Sequence, residues 1–265
     1  MESSKCRKSA KLEALTLLLV ALIQFFCTIN AQQPGEDGWE SAHATFYGDM
    51  TGNDTMQGAC GYGDLFQQGY GLETTALSVA LFNDGRACGG CYQIMCYNTT
   101  WCVQKNNAPL SIHVTATNLC PANYSKPNEN WCNPPLKHFD LSQPMFRTIA
   151  EYKAGIVPVL YRRVQCAKKG GIKFEIKGNP WWISVLVYNV GGVGVVKDVK
   201  VKGSNTSSWL PMDRKWGQIW VTEARLVGQG MSFQVTTTDG KMAQSDNVVP
   251  SNWKFGDNYE GKQIK

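Results

Sequence analysis

Two aspartates are the residues whose type and surroundings could support acid–base chemistry. Asp140 lies in the run His138-Phe-Asp-Leu141, and Asp49 directly follows Thr45-Phe-Tyr-Gly48. Inverting cleavage of a glycosidic bond needs a protonated carboxylic acid and a carboxylate base, separated by about 6.5–9.5 Å so that water fits between them. Sequence spacing does not fix that distance. Each aspartate also has a structural interpretation, as a helix cap for Asp140 and as a turn residue for Asp49.

Other reactive groups give weaker signals. His43, His113 and His138 are the only histidines and are scattered along the chain. The sequence has no Gly-x-Ser-x-Gly elbow, no P-loop and no dinucleotide fingerprint. Cys88-Gly-Gly-Cys91 has the spacing of a zinc knuckle, but no second Cys-x-x-Cys or His-x-x-x-His follows it. We therefore predict no metal site and no cofactor.

Tryptophans give a second kind of signal, for stacking on sugar rings. Trp181, Trp182 and Trp209 lie in the C-terminal part of the chain, together with Trp216, Trp220 and Trp253. Neighbours on a strand point to opposite faces, so one of Trp181 and Trp182 should be buried, unless Asn179-Pro180 bends the chain. Burial is the commoner fate of a single tryptophan, but two or three on the surface would make a binding site.

The N-terminus predicts the compartment. Residues 1–31 run from Lys5, Arg7, Lys8 and Lys11 through an apolar stretch to Ala31, which is the order of a secretory signal peptide. Eight cysteines follow it, an even number that predicts disulfides in an oxidising compartment. Sequons at Asn53, Asn98, Asn123 and Asn205 fit secretion and are possible glycan sites. The prediction is a secreted, extracellular glycoprotein.

The distribution of cysteines predicts a domain boundary after Cys166. All eight cysteines after residue 31 lie between Cys60 and Cys166, and none follows. We predict a disulfide-stapled domain over 32–166 and a second domain over 167–265. The first should be a β-barrel with small helical insertions, in which Asp140–Ala150 form a short helix near a capping Asp140. The second has about eight short alternating strands, the number typical of a β-sandwich.

Charge excludes one class of partner and suggests another. The net charge of +5 is too small to argue for nucleic acid. Residues 32–166 carry 8 Lys/Arg against 11 Asp/Glu, while 167–265 carry 14 against 8. Lys197, Lys200 and Lys202 could contact acidic pectin, although lysines on the polar face of a strand are usually just solvated.

A series of motifs in order along the chain resembles the plant α-expansin family. The resemblance extends from about Gly38 to about Phe255 at the family's spacing. The motifs in the first domain include Ala42-His-Ala-Thr-Phe-Tyr-Gly48, Gly58-Ala-Cys-Gly-Tyr-Gly63, Cys88-Gly-Gly-Cys91, Val114-Thr-Ala-Thr-Asn118, Trp131-Cys-Asn-Pro-Pro135, His138-Phe-Asp-Leu-Ser142 and Tyr161-Arg-Arg163, and those in the second are Asn189-Val-Gly-Gly192 and Trp216-Gly-Gln218.

The resemblance implies a mainly all-β fold. It consists of a six-stranded double-psi β-barrel, similar to family-45 endoglucanases, followed by an immunoglobulin-like β-sandwich that binds cellulose. The implied disulfides are Cys60 with Cys88, Cys91 with Cys166, Cys96 with Cys102 and Cys120 with Cys132. From the residues alone, 105 pairings stay open.

The resemblance also implies an activity and its residues. Expansins loosen plant cell walls at acid pH without measurable hydrolysis. Thr45, Tyr47, Asn118 and Asp140 match positions that line the barrel groove, and Asp140 matches the general acid of the related endoglucanases. Trp182 and Trp209 match the cellulose platform, with Trp181 as a third member. The implied partners are cellulose and matrix polysaccharides such as xyloglucan, bound by a monomer that contacts the wall or membrane only peripherally.

Two departures from the family keep alternatives open. Thr51 stands where most α-expansins have Asp, and Asp49 stands where typical members have Gly. Because the Asp49 slot coincides with the catalytic base of the related endoglucanases, an inverting endo-β-glucanase with Asp140 as acid and Asp49 as base is the main alternative. A third interpretation is a carbohydrate-binding protein whose barrel has no mechanical role.

Overall fold

The computed structural model describes residues 38–127 and 129–265, and Glu40–Lys265 form one compact unit. The predicted signal peptide, residues 1–31, lies outside the described residues. Within the described part, no helix has the length and apolar character needed to cross a bilayer.

Six strands of the N-terminal region close into a barrel. Its strands are β1 (Glu40–Tyr47), β2 (Thr74–Leu77), β3 (Cys91–Cys96), β6 (Ser111–Leu119), β7 (His138–Ser142) and β8 (Val157–Val164), and β4 (Gln104–Lys105) pairs with β5 (Ala108–Pro109) in a separate two-stranded sheet. The barrel order is β1-β7-β2-β6-β3-β8. Two of the neighbouring pairs, β1 with β7 and β2 with β6, are parallel, while the other paired neighbours are antiparallel.

Alternation along the strands separates the barrel core from the polar groove residues. Phe139 and Leu141 flank Asp140 on β7 and are fully buried, while Asp140 itself is partly exposed. The Phe139 ring packs 4.8 Å from Tyr161 and 5.2 Å from Tyr92, measured between ring centroids. Truncating a buried phenylalanine to alanine typically costs about 3–5 kcal/mol of stability, so the core holds β7 firmly in place.

Two short α-helices accompany the barrel, α1 (Val79–Phe82) and α2 (Gln143–Ile149). The prediction that Asp140 caps a helix is wrong, because Asp140 lies inside β7 and the residue before α2 is Ser142. The strand continues to Ser142 because β1 and β2 pair with it on both sides.

The C-terminal region forms one ladder of eight strands that folds into two layers. Its strands are β9 (Lys173–Asn179), β10 (Trp182–Tyr188), β11 (Val196–Gly203), β12 (Leu210–Trp216), β13 (Ile219–Thr222), β14 (Met231–Thr237), β15 (Met242–Val249) and β16 (Asn258–Glu260), in the ladder order β15-β14-β11-β12-β13-β10-β9-β16. The first half of β12 pairs with β11 and its second half pairs with β13. Phe174 of β9 stacks on Phe233 of β14 with ring centroids 4.5 Å apart, although the two strands lie far apart in the ladder.

The structure joins the eight cysteines in the four pairs that the resemblance implies: Cys60–Cys88, Cys91–Cys166, Cys96–Cys102 and Cys120–Cys132. The mainly all-β fold with a closed six-stranded barrel is confirmed. The barrel strands end at Val164 and the sandwich strands begin at Lys173, while the division after Cys166 into two domains stays a prediction.

Direct hydrogen bonds join the sandwich to the barrel. The Gln218 backbone N–H donates to the Cys60 carbonyl at 2.9 Å, and the Gln218 side-chain amide donates to the Cys88 carbonyl at 3.0 Å. Gly217 precedes this contact with a φ of +49°, and a Cβ there would come within 2.5 Å of the Cys60 carbonyl oxygen. A glycine is therefore required for the close approach.

Candidate functional site

The groove residues lie in one row across four neighbouring strands. Thr45 on β1 is in register with Asp140 on β7, and Asp140 is in register with Ala76 on β2. Ala76 is in turn in register with Asn118 on β6. Ala76, which lies between Asp140 and Asn118 in this row, is buried.

A hydrogen-bonded chain fixes the Asp140 carboxyl group. The Thr45 hydroxyl donates to Asp140 Oδ1 at 2.7 Å and also lies 2.7 Å from His138 Nε2. Since the hydroxyl has one proton, which it gives to Asp140, the imidazole must carry its proton on Nε2. His138 Nδ1 is then a bare acceptor, and it is buried without a hydrogen-bond partner among the described residues.

Burial is the main cause of the pKa shifts of Asp140 and His138. It raises the pKa of Asp140 above the ordinary value of 3.8, and the bond from Thr45 opposes that rise. Burial also lowers the pKa of His138 to about 4, with nearby His43 as a second cause. Asp140 therefore binds its proton more readily than an ordinary aspartate, while His138 is neutral in mildly acidic water.

The fold brings together two of the three histidines that are scattered along the sequence. His43 on β1 is in register with His138 on β7, and the His43 ring lies 4.7 Å from the Trp131 ring. Sequence analysis missed His138 as a member of the site. The signal was its spacing of two from Asp140, which places both on one face once the segment is a strand.

Tyr47 and Asn118 complete the row with unused hydrogen-bonding capacity. Asn118 Oδ1 accepts from the backbone N–H groups of Ala59 and Leu119, each at 2.8 Å, which leaves its amide donors. Burial is the main cause that raises the pKa of Tyr47, the Asn118 side chain opposes it, and Asp140 adds to it. The Tyr47 hydroxyl is buried, and no hydrogen bond of ordinary geometry reaches it within the described part of the chain, so the Asn118 side chain acts on its pKa from close by without such a bond.

Asp49 is bound by its own loop. Its carboxylate accepts from the Thr51 hydroxyl at 2.7 Å, the Gly52 N–H at 2.8 Å and the Thr51 N–H at 3.1 Å. These bonds lower the pKa of Asp49, with the Thr51 hydroxyl as the largest cause. The two departures from the family pattern are thus linked, because Thr51 supplies donors to Asp49. The geometry agrees with a turn residue.

The tryptophans of the sandwich fall into two places. Trp181 is 78% exposed and Trp182 is 41% exposed, so neither neighbour is buried. The turn through Pro180 separates Trp181 from β10, and the Trp181 N–H donates to the Asn179 side chain at 2.9 Å. Trp209 precedes β12, on the far side of β13 from β10, and Lys202 lies 5.1 Å from its ring centroid. Trp181 and Trp182 therefore form an exposed pair, which we call the tryptophan pair.

The other tryptophans of this region divide by burial. Trp220 and Trp253 are core residues, and Trp216 is 49% exposed. Arg214 lies 4.3 Å from the Trp220 ring centroid. Within the described residues, no group of three or more His, Cys, Asp or Glu side chains is arranged to hold a metal ion.

Comparisons with known proteins agree with this geometry. The family model of the Expansin C-terminal domain matches residues 172–250, and a double-psi barrel family model described as lytic transglycolase matches residues 74–161. Expansin-A23 of Arabidopsis thaliana is 58% identical over 228 residues, covering 86% of this chain and 81% of the relative. Expansin-A13 of Oryza sativa subsp. japonica is 48% identical over 236 residues, covering 87% and 88%.

Solved structures share the fold. The apo expansin of Clavibacter michiganensis has a TM-score of 0.65 at 19% identity, covering 86% of this chain and 98% of that one. A mutant of the same bacterial expansin in complex with cellohexaose has a TM-score of 0.64 at 18% identity, with the same coverage.

Proposed function

The chain belongs to the plant α-expansin family, and from that premise we propose that it loosens plant cell walls at acid pH without hydrolysis. In this proposal it disrupts non-covalent contacts between cellulose and matrix glucans such as xyloglucan, so that the wall extends. The protein acts in the extracellular wall, after secretion directed by residues 1–31.

One observation carries the non-hydrolytic part of the proposal. The groove presents the Asp140 carboxyl, while Asp49, the candidate second carboxylate, is occupied by three hydrogen bonds from Thr51 and Gly52. A general base must be free to accept a proton from water. These bonds also lower the pKa of Asp49, so its carboxylate is a weaker base than an ordinary aspartate.

Asp140 gives the groove its acid dependence. Its raised pKa means that the protonated form persists to a higher pH than in an ordinary aspartate. The protonated carboxyl donates a hydrogen bond to a sugar oxygen, and the Tyr47 hydroxyl and the Asn118 amide supply further partners. Exchange of these bonds for those between two glucan chains separates the chains without breaking a covalent bond.

The sandwich supplies affinity of a different kind. The tryptophan pair is exposed, and flat indole faces stack on the apolar faces of glucose rings. The solved complex of a bacterial expansin with cellohexaose supports a cellulose ligand. Trp209 extends the binding surface in this proposal, with Lys202 beside it. No cofactor or metal takes part, and a monomer suffices.

Two other functions remain as outcomes of the test. An inverting endoglucanase would require Asp49 to leave its turn and act as base. A pure carbohydrate-binding protein would bind cellulose without extending walls.

Release of reducing ends and wall extension distinguish the three functions. The measurement uses swollen cellulose and soluble β-glucans at about pH 4–5, with wild type, Asp49→Gly and Asp140→Asn side by side. We expect no release from any of the three proteins, and creep of heat-killed walls with the wild type. Release that disappears in both variants would establish the endoglucanase. Binding without creep would establish the pure binder.

A further inference from the structure

A separate cavity lies on the side of the barrel formed by β6, β3 and β8. Its volume is about 270 Å³, roughly that of nine liquid water molecules. The lining comes from Cys91 on β3, His113 and Thr115 on β6, and Gln165 and Lys168 after β8. The groove row uses β1, β7, β2 and Asn118 of β6, so the two sites draw on different residues.

Lys168 is the charged group of this cavity, and its ammonium is poorly satisfied. The group is partly buried and makes a single long hydrogen bond, of 3.4 Å, to the Thr115 hydroxyl. It also lies 4.4 Å from the centroid of the Tyr70 ring. An ammonium has three donors, and among the described residues no carboxylate forms an ion pair with it.

The surroundings keep the charge of Lys168 available in acidic solution. Burial lowers its pKa to about 8, and Glu73, the one acidic group that acts on it, opposes that shift. The amine is therefore protonated at any pH well below 8. A partly buried cation that makes no ion pair among the described residues favours binding of an anion.

The remaining lining residues indicate which anion fits. No acidic side chain lines the cavity, and His113, Thr115 and Gln165 offer hydrogen-bonding groups. The Cys91–Cys166 disulfide and Val164 provide an apolar wall. The Lys168 ammonium and the hydrogen-bonding groups beside it match a carboxylate carried by a hydroxyl-rich molecule, and the volume suits one sugar unit rather than a polymer segment.

We propose that this cavity binds the carboxylate of a single hexuronate unit of an acidic glycan, with the Lys168 ammonium as counter-ion and Thr115 and Gln165 hydrogen-bonding the sugar. This inference goes beyond the proposed function, since neither Asp140 nor the tryptophan pair takes part. It also differs from the hypothesis that Lys197, Lys200 and Lys202 contact pectin, because those lysines lie on β11 of the sandwich and none of them lines this cavity.

The position of Lys168 couples this cavity to the sandwich. Lys168 lies in the segment between β8 and β9, and Tyr70 beneath it accepts a hydrogen bond from the Asn189 N–H at 3.3 Å. Asn189 follows β10 directly. A bound hexuronate would therefore contact the segment that connects the barrel with the sandwich.

The test is a titration of the secreted full-length protein with the methyl glycoside of galacturonic acid, followed by amide NMR shifts at pH 5. The methyl ester of the same sugar is the neutral control and acetate is the free-carboxylate control. Lys168→Gln removes the charge, while Lys169→Gln removes the neighbouring exposed charge and serves as the matched variant.

We expect saturable shifts at Thr115 and Lys168 with the uronoside in wild type and Lys169→Gln, and at least tenfold weaker binding in Lys168→Gln. Lys168→Met, whose stem can still cover Tyr70, replaces Lys168→Gln if the latter does not fold. Equal affinity for acetate would overturn the sugar assignment. Equal affinity for the methyl ester, an unchanged affinity in the charge-removed variant, or no saturable shift would overturn the site.

Discussion

The barrel groove and the tryptophan pair of the sandwich differ in burial, in hydrogen bonding and in the groups that can titrate. In the groove, His138, Thr45 and Asp140 are joined by two 2.7 Å contacts below the surface. The tryptophan pair lies on an exposed turn and has no ionisable side chain of its own. Under the proposed function, acid dependence and affinity would therefore have separate sources, the first in the barrel and the second in the sandwich.

The disulfide bonds also distinguish the barrel from the sandwich. All four disulfides have both cysteines at or before Cys166, and the sandwich layers are held by packing such as that of Phe174 on Phe233. A groove that orients a carboxyl group through two short contacts requires little movement of its strands. A stacking surface tolerates more, because apolar contact is less directional.

Removing the groove carboxyl should have the largest effect. In Asp140→Ala we expect the creep rate at pH 4.5 to fall about tenfold, because removing the protonated carboxyl leaves the sugar oxygen in the groove without its donor, which costs about 1–3 kcal/mol. Binding to cellulose should stay within twofold of wild type, since the tryptophan pair is intact. Creep assays and binding isotherms on the same preparation check this. A parallel loss of cellulose binding would contradict the proposal that the barrel and the sandwich have separate roles.

Removing the tryptophan pair should give the complementary result. The double variant Trp181→Ala/Trp182→Ala should lose about 1–3 kcal/mol of cellulose affinity, or roughly fivefold to 150-fold, from the lost apolar contact. The pH at which creep is half-maximal should not move. Trp220→Phe, a conservative change in the sandwich core, controls for general destabilisation. A shift of the pH profile in the double variant would contradict the comparison.

His138 should make the stability of the protein sensitive to acid. Its folded pKa of about 4 lies below the ordinary 6.5, so the unfolded chain binds more protons between those values and stability falls as the pH drops through that window. His138→Gln should remove about 1–2 kcal/mol of this loss. The raised pKa of Asp140 acts in the opposite direction and remains in the variant. Denaturant unfolding gives the free energy of unfolding at pH 6.5 and at pH 4.5. An equal loss of that free energy between the two pH values in wild type and variant would contradict the prediction.

Asp49 should have the smallest effect. Asp49→Gly restores the residue of typical family members and removes only bonds within an exposed loop, so stability should change by less than about 0.5 kcal/mol. Creep and its pH profile should match the wild type. A creep rate that falls as far as in Asp140→Ala would place Asp49 in the groove mechanism.

Much of the fold could be predicted from the sequence because strand alternation is a local signal. Met231–Thr237 alternates apolar and polar residues in the sequence and is β14 in the structure, and Val157–Val164, which is rich in valine, is β8. The confirmed family resemblance supplied the closed barrel, since no local pattern indicates how strands order themselves around it. The disulfide partners likewise came from the resemblance.

The site was less predictable because its contacts depend on parallel pairing. Thr45 and His138 are 93 residues apart, and only the register of β1 on β7 brings them together. Polar residues before a helix favour a cap at Asp140, yet pairing on both sides of β7 holds Asp140 in a strand. The turn through Pro180 places Trp181 outside β10 and leaves it exposed.

The most direct test of the separation measures creep and cellulose binding from pH 4 to pH 7 in wild type and Asp140→Asn, at equal amounts of bound protein. In the wild type, creep should fall as the pH rises through the raised pKa of Asp140 while binding stays constant. The asparagine amide donates a hydrogen bond at every pH, so the variant should extend walls with no dependence on pH. A variant that keeps the wild-type fall, or that gives no creep at any pH, would contradict the account.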